Sequence, residues 1–275
     1  MRGREEDNMT DRDGSSDTTP LIEFRGVGKR FMVKGEPLQA VQDIDLKVRE
    51  GEILTLVGPS GCGKSTLLNM AAGLFEATAG EVIYRGAPVQ PYNHAVGYMT
   101  QSDHLLPWRD VAGNIAIPLE IKGLPKGEID ARVETLMETV GLSGFGRSYP
   151  NQLSGGMRKR CALARLLAYD PETLLMDEPF AALDAMLRMR MQIEIRTLCR
   201  QLGKTVMFVT HDLDEAVAIG DRCVVFTGRP GTIDRVVDVP LPPDRDILQL
   251  RKDRAYQEIT ATLWDVLAPA VAMEE

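Results

Sequence analysis

The chain has 275 residues, 44% of them hydrophobic and 26% charged, with a formal net charge of −8. That length accommodates one large α/β domain, or a domain with an inserted subdomain, and buries a sizeable core. The acidic balance speaks against nucleic acid as a partner, which needs a basic surface, and no apolar run approaches the roughly 18 residues that span a bilayer.

The first 20 residues, MRGREEDNMTDRDGSSDTTP, hold no hydrophobic segment and read as a disordered tail rather than a secretory signal. From Leu21, LIEFRGVGKRF and LQAVQDIDLKV alternate polar and apolar residues, which predicts an antiparallel sheet with one wet face. The apolar run Ile53–Val57 reads as a buried strand, and GPSGCGKST follows it from Gly58 to Thr66. A helix starts near Lys64 and runs to about Leu74, with Gly73 as its stop. EVIYRG and AVGYMTQ are further short strands.

Between about residues 102 and 168 the pattern turns helical, and Pro107, Pro118 and Pro125 are expected to break it into short pieces. Near-continuous apolar runs return at Thr173–Met176 and Thr205–Val209, as in a parallel sheet covered on both faces. MLRMRMQIEIRTLCRQLG alternates at Met189, Met191, Ile193 and Ile195, yet Leu187, Met191, Ile195, Leu198 and Leu202 form a helical stripe. Its 18 residues exceed an ordinary strand, so a helix is expected, stopped at Gly203. Residues 241–275 are expected to form a C-terminal helical extension. Cys62, Cys161, Cys199 and Cys223 form no C-x-x-C pair and read as free thiols of a reducing cytosol.

The chemistry begins at the glycine-rich turn. Backbone N–H groups of Gly58, Pro59's successors Ser60, Gly61, Cys62 and Gly63, and of the first helical turn, converge with the helix dipole on phosphate oxygens. Lys64 reaches the β- and γ-phosphates, Ser65 can ligate Mg²⁺, and Thr66 continues the helix, so a nucleoside triphosphate binds here. Cys62 reads as a small filler, at a place where alkylation would block nucleotide. At TLLMDEPF a strand delivers Asp177 and Glu178 to its C-terminal edge, Asp177 as a holder of Mg²⁺ and Glu178 to polarise the attacking water. His211, after TVMFV, occupies the same edge as a γ-phosphate sensor, while His94 and His104 are left structural. Gln101 is either a polar strand cap or a reach towards metal or water.

Ser154-Gly155-Gly156 opens a helix and forms a second anion site, with Ser154 as its N-cap. One nucleotide has one γ-phosphate, so the second site serves another copy's nucleotide. Arg158, Lys159 and Arg160 read as a solvated helix face.

In this order GPSGCGKST, Gln101, LSGGM, LLMDEP, Ala182-Leu183-Asp184 and His211 resemble the ATP-binding subunit of an ABC transporter, over about residues 21–238. The resemblance implies an α/β fold: a P-loop NTPase (RecA-like) core with an N-terminal antiparallel β subdomain and an inserted α-helical subdomain. That domain would span residues 21–240, its helical part about 102–168. The cofactors implied are ATP and Mg²⁺, with Gln101 joining Ser65 and Asp177 at the metal. The partner implied is a second copy, head to tail, so that each ATP lies between one phosphate loop and the other copy's Ser154-Gly155-Gly156. Asp184 would make contacts across that interface, and Phe31 would stack on adenine. Phe31 stands where tyrosine is usual, which keeps the stacking ring face; Met157 stands where glutamine is usual, which removes an amide.

DHLLPWRDVAGNIAIPLE and FTGRPGTIDRVVDVPLP further resemble the nitrate/sulfonate/taurine group of importer subunits. What this implies is a peripheral ATPase on the cytoplasmic face of the membrane, driving integral membrane permease subunits fed by a periplasmic solute-binding protein. Leu105, Leu106 and Trp108 either line the groove for a permease helix or form the core of the helical insertion. The rivals are an exporter or lipid-transport ATPase, and a soluble ABC factor of translation, repair or chromosome organisation. Against the soluble factor stand the single phosphate loop, the absence of a long heptad arm and the acidic charge.

Overall fold

The alternating segments pair as their period requires. In the computed structural model, which describes residues 19–181 and 183–272, β1 (Ile22–Val33) and β2 (Glu36–Val48) form an antiparallel hairpin. The tail over residues 1–18, Ala182 and residues 273–275 of the expected extension lie outside the described residues. Lys34 and Gly35 close the hairpin with φ of 52° and 87°, the signs of the turn that matches strand twist. Ile22, Phe24, Val27, Val41, Ile44, Leu46 and Val48 are buried on one face while their neighbours meet solvent.

After β3 (Ile53–Val57) and α1 (Lys64–Ala71), β4 (Ala79–Tyr84) and β5 (Ala87–Pro88) complete a four-stranded sheet in the order β2-β1-β4-β5. Gly73, at φ 67°, follows α1 as expected. The second sheet uses β6 (Val96–Met99), β7 (Thr173–Asp177), β8 (Thr205–Val209), β9 (Arg222–Thr227) and β10 (Thr232–Asp238), in the order β10-β9-β3-β8-β7-β6. Its pairs are parallel except β9–β10. In β8, Val206 and Phe208 join the cluster beneath the helices, while Met207 and Val209 join the cluster beneath the four-stranded sheet. Both faces are covered, which is why these strands read as unbroken apolar runs.

The helical region contains α2 (Val111–Ile121), α3 (Lys126–Thr139) and α4 (Gly155–Ala168), and α5 (Ala185–Gln201), α6 (Leu213–Ile219) and α7 (Arg254–Ala272) follow. Pro118 does not break its segment: it lies inside α2. The single backbone bond it removes is outweighed by burial of Val111, Ile115, Ala116 and Leu119. Asn114, fully buried, also staples the preceding loop to α2, with Nδ2 donating to the carbonyls of Leu106, Arg109 and Asp110. Pro125 does act as a boundary, as N-cap of α3.

The ambiguous stretch is the helix α5, with Gly203 at φ 60° just beyond it. Its buried face differs from the expected stripe: Leu202 is 48% exposed, whereas Gln192 and Arg196 are buried. All four cysteines are free and buried, and burial pushes the thiols of Cys161, Cys199 and Cys223 up to about 12. Cys62 is inaccessible too, which makes it the filler rather than a target for alkylation. Among the described residues, no helix is long and apolar enough to cross a membrane.

Candidate nucleotide site

β3 is buried along its whole length and points the glycine-rich turn outward from the centre of the sheet. Gly63 begins α1 at φ 97°, with no side-chain bond to the first helical turn. A side chain at Gly63 would run into Val41 of β2. The turn is therefore held tightly by the neighbouring sheet, and the first N–H groups of α1 remain open to an anion. Lys64, only 5% exposed, donates through Nζ to the carbonyls of Gly58 (2.8 Å) and Pro59 (2.7 Å). Its ammonium sits inside the loop.

The acids arrive at the same edge. Ser65 donates through Oγ to Asp177 Oδ1 at 2.9 Å, and the Tyr98 hydroxyl reaches Asp177 Oδ2 at 3.4 Å. Burial holds the Asp177 carboxyl above its ordinary range, although the Ser65 bond opposes that shift. Glu178 takes φ 46°, its N–H donates to the Val209 carbonyl at 3.0 Å, and its Oε2 lies 3.4 Å from His211 Nδ1. Lys64, Ser65, Asp177, Glu178 and His211 thus share one sheet edge, as the strand positions predict. Gln101 lies just beyond β6; its side chain is exposed and unbonded among the described residues.

Phe31 is half-buried on β1 and meets Phe75 edge to face at 5.4 Å, with the Lys29 ammonium 5.2 Å from its ring centre. Ser154 caps α4, accepting from the Met157 N–H at 3.3 Å, and Asp184 caps α5, accepting from the Leu187 N–H at 3.0 Å. Both caps are exposed. Ser154, Gly155 and Gly156 make no bond to the phosphate loop of their own chain among the described residues.

The family described as ABC transporter matches residues 41–181 of this chain. The aliphatic sulfonates import ATP-binding protein of Xanthomonas axonopodis pv. citri is 44% identical, over 88% of this chain and 96% of that protein. The taurine import ATP-binding protein of Roseobacter denitrificans is 38% identical, over 89% and 94% respectively. A dimeric ATP-binding cassette solved in a post-hydrolysis state with ADP and Pi superposes with a TM-score of 0.71 at 29% identity, over 81% of this chain and 100% of that one. The chain belongs to the ABC transporter family.

As an ABC cassette the chain is an ATP-binding ATPase, and several parts of its site were silent in the sequence. Tyr98 is one: nothing in its spacing marks it, yet its hydroxyl reaches Asp177. The RPG run marked a family likeness but not its own role: Arg229 donates to the Ser60 carbonyl at 2.6 Å and Gly231 donates to the Ala40 carbonyl at 2.9 Å. That turn braces the phosphate loop from behind.

Arg158, Lys159 and Arg160 are not a solvated face. Lys159 is 4% exposed and donates to the Gln101 carbonyl; Arg158 pairs with Asp103 at 3.2 Å; Arg160 pairs with Glu194. α4 is packed on both sides, so its charges end in bonds rather than in water. Leu105 belongs to the core while Trp108 is 71% exposed, so the LLPW segment divides between its two readings.

Gly156 is pressed against α5: a Cβ there would lie 2.6 Å from Leu187 Cδ1. Gly156→Ala is expected to destabilise the cassette by about 1 kcal/mol, because the partly exposed Leu187 side chain can turn aside and alanine favours the helix. Adding Leu187→Ala should recover most of that loss, because the two sites share one contact. Urea denaturation of the single and double variants measures it; equal losses in both would rule out the contact as the cause.

Proposed function

We propose that the chain is the ATP-hydrolysing subunit of an importer for a small solute of the sulfonate or taurine kind. The observation supporting this most directly is its 38–44% identity to sulfonate and taurine import ATP-binding proteins over nearly their whole length. Two copies pair head to tail, each ATP held by one copy's Gly58–Thr66 loop and the other's Ser154-Gly155-Gly156, with Asp184 crossing the interface. The exposed Ser154 cap, which makes no bond to the phosphate loop of its own chain among the described residues, supports that pairing, since that loop already has a cradle. Phe31 presents its ring to adenine.

Lys64 neutralises the β- and γ-phosphates, Glu178 accepts the proton of the attacking water, and His211 beside it reads the γ-phosphate. The Ser65 hydroxyl and the Asp177 carboxylate are hard oxygen donors 2.9 Å apart. A desolvated carboxylate beside a hydroxyl fits Mg²⁺, with Gln101 as a further oxygen ligand. When bound, that ion would neutralise charge developing on the phosphate oxygens.

The chain attaches peripherally to the cytoplasmic face of the membrane, through permease subunits. A cavity of about 420 Å³ opens beside Gln101, between β6, α2 and α4, with Met99, Ile117, Pro118 and Leu166 on its wall. Ile121, on the same wall, is 81% exposed. This groove receives a cytoplasmic helix of the permease, and a periplasmic solute-binding protein feeds the system. Affinity purification of the tagged chain, co-expressed with its neighbouring genes, tests the reading. Co-isolation with an integral membrane protein is expected; isolation with ribosomes or DNA instead would remove the transporter.

A further inference from the structure

Away from the nucleotide edge, arginines gather where α5 meets the segment leading into α7. Arg196 and Arg200 lie one turn apart on α5, and Arg245 follows Pro243. Arg196 and Arg245 are 3% and 9% exposed. Arg196 donates to the carbonyl of Ile219 and, through Nη2, to that of Pro243 at 3.0 Å. Arg245 donates through Nε to the Ala218 carbonyl at 2.9 Å, and also to the Gly220 carbonyl. Arg200 donates to the Gly51 carbonyl at 3.3 Å and to Asp221.

These partners leave the cluster short of negative charge. Among the described residues Asp221 is the carboxylate that pairs with it. Its Oδ1 is shared between Arg200 and Arg196, the latter at 3.6 Å, while its Oδ2 accepts the Ile53 N–H at 2.8 Å. Arg196 Nε, Arg200 Nε and Arg245 Nη1 are buried and have no acceptor among the described residues. A cavity of about 350 Å³ opens against the same three side chains, with Ile193, Pro243 and Ile247 also on its wall. Asp244 lines it too, but is exposed and bonds none of the three. Burial pulls the Arg245 guanidinium down to about 9, with neighbouring Arg196 adding to the effect.

Buried donors without acceptors, and buried cations without counter-charge, are costly arrangements. A ligand that brings negative oxygens relieves both at once. Planar guanidinium forks match an oxyanion's geometry, and the apolar wall strengthens the attraction. We propose that this cavity is a binding site for a small oxyanion, of the size and charge of sulfate or phosphate. The anion bridges α5, whose N-terminus bears Asp184, to the chain entering α7. The site owes nothing to the reading of the nucleotide edge.

The test uses the full chain carrying Lys64→Ala, so that the phosphate loop competes less for the probe. Thermal melting is followed against sodium sulfate, sodium phosphate and sodium chloride at matched ionic strength. A saturable rise with sulfate or phosphate, absent with chloride, is expected; the anion acting at lower concentration is the ligand. General stabilisation by salts excluded from the protein surface rises without saturating. Adding Arg200→Gln, at the more exposed arginine, should raise the half-saturating concentration about tenfold or more. If that variant fails to fold, crystals of the parent soaked in selenate should show selenium anomalous density within hydrogen-bond distance of Arg196, Arg200 and Arg245. Responses that track chloride at every concentration, an unchanged response in Arg200→Gln, or selenate absent from the cluster would each overturn the proposal.

Discussion

Glu178→Gln is expected to lower steady ATP hydrolysis by about 10²–10⁴-fold, the usual contribution of a general base, while leaving ATP binding intact. The backbone here is anchored independently of the side chain, since the Glu178 N–H donates to Val209 and its carbonyl accepts from Ala181. The carboxylate itself has one neighbour of note, His211 Nδ1 at 3.4 Å. The amide keeps the size and loses the proton acceptor, so chemistry stops while the cradle stays whole. A dimer that persists with ATP is the companion outcome, because closure then outlasts each binding event. Phosphate release, equilibrium nucleotide binding and molar mass in solution measure the three parts. Near-normal turnover in this variant would assign the base elsewhere.

Lys64→Ala is expected to weaken nucleotide binding by about 10- to 100-fold, the range set by 1.5–3 kcal/mol for hydrogen bonds to a charged group. Lys64 is nearly enclosed, yet its ammonium bonds carbonyls rather than a carboxylate. Such a charge is held ready for an anion that arrives from outside. Its influence also reaches Asp177, whose carboxyl it draws downward against burial. The clean readout is the ATP-induced rise in melting temperature, which should shrink towards nothing in the variant. An undiminished rise would mean that the backbone N–H groups hold the phosphates alone.

What the sequence disclosed followed the range of the interaction concerned. The phosphate loop, the acids after β7 and the cap at Ser154 are local patterns, set within a few residues, and they were readable as such. Strand pairing was readable because alternation in β1 and β2 records a half-wet sheet. Pro118 and Lys159 were not, because their fate depends on packing from elsewhere in the chain. A proline breaks a helix only when nothing else holds it, and α2 is held by its buried face. A run of three basic residues looks solvated until a second layer covers it, as the 101–103 segment covers α4. Tyr98 and the RPG turn act on residues far away in sequence, and no spacing announces such contacts. The oligomer implied by the signature turn is likewise legible only as a motif without a partner in its own chain.

The grip of α4 on residues 101–104 has a mechanical outcome. Arg165 adds bonds to the carbonyls of His104 and Asp103, both at 2.8 Å, to those from Arg158 and Lys159. Gln101 and Ser154 therefore ride on one stiff lever rather than on two hinged pieces. A shove delivered at the groove between β6, α2 and α4 would swing the serine turn in the same stroke, with little slack lost between them.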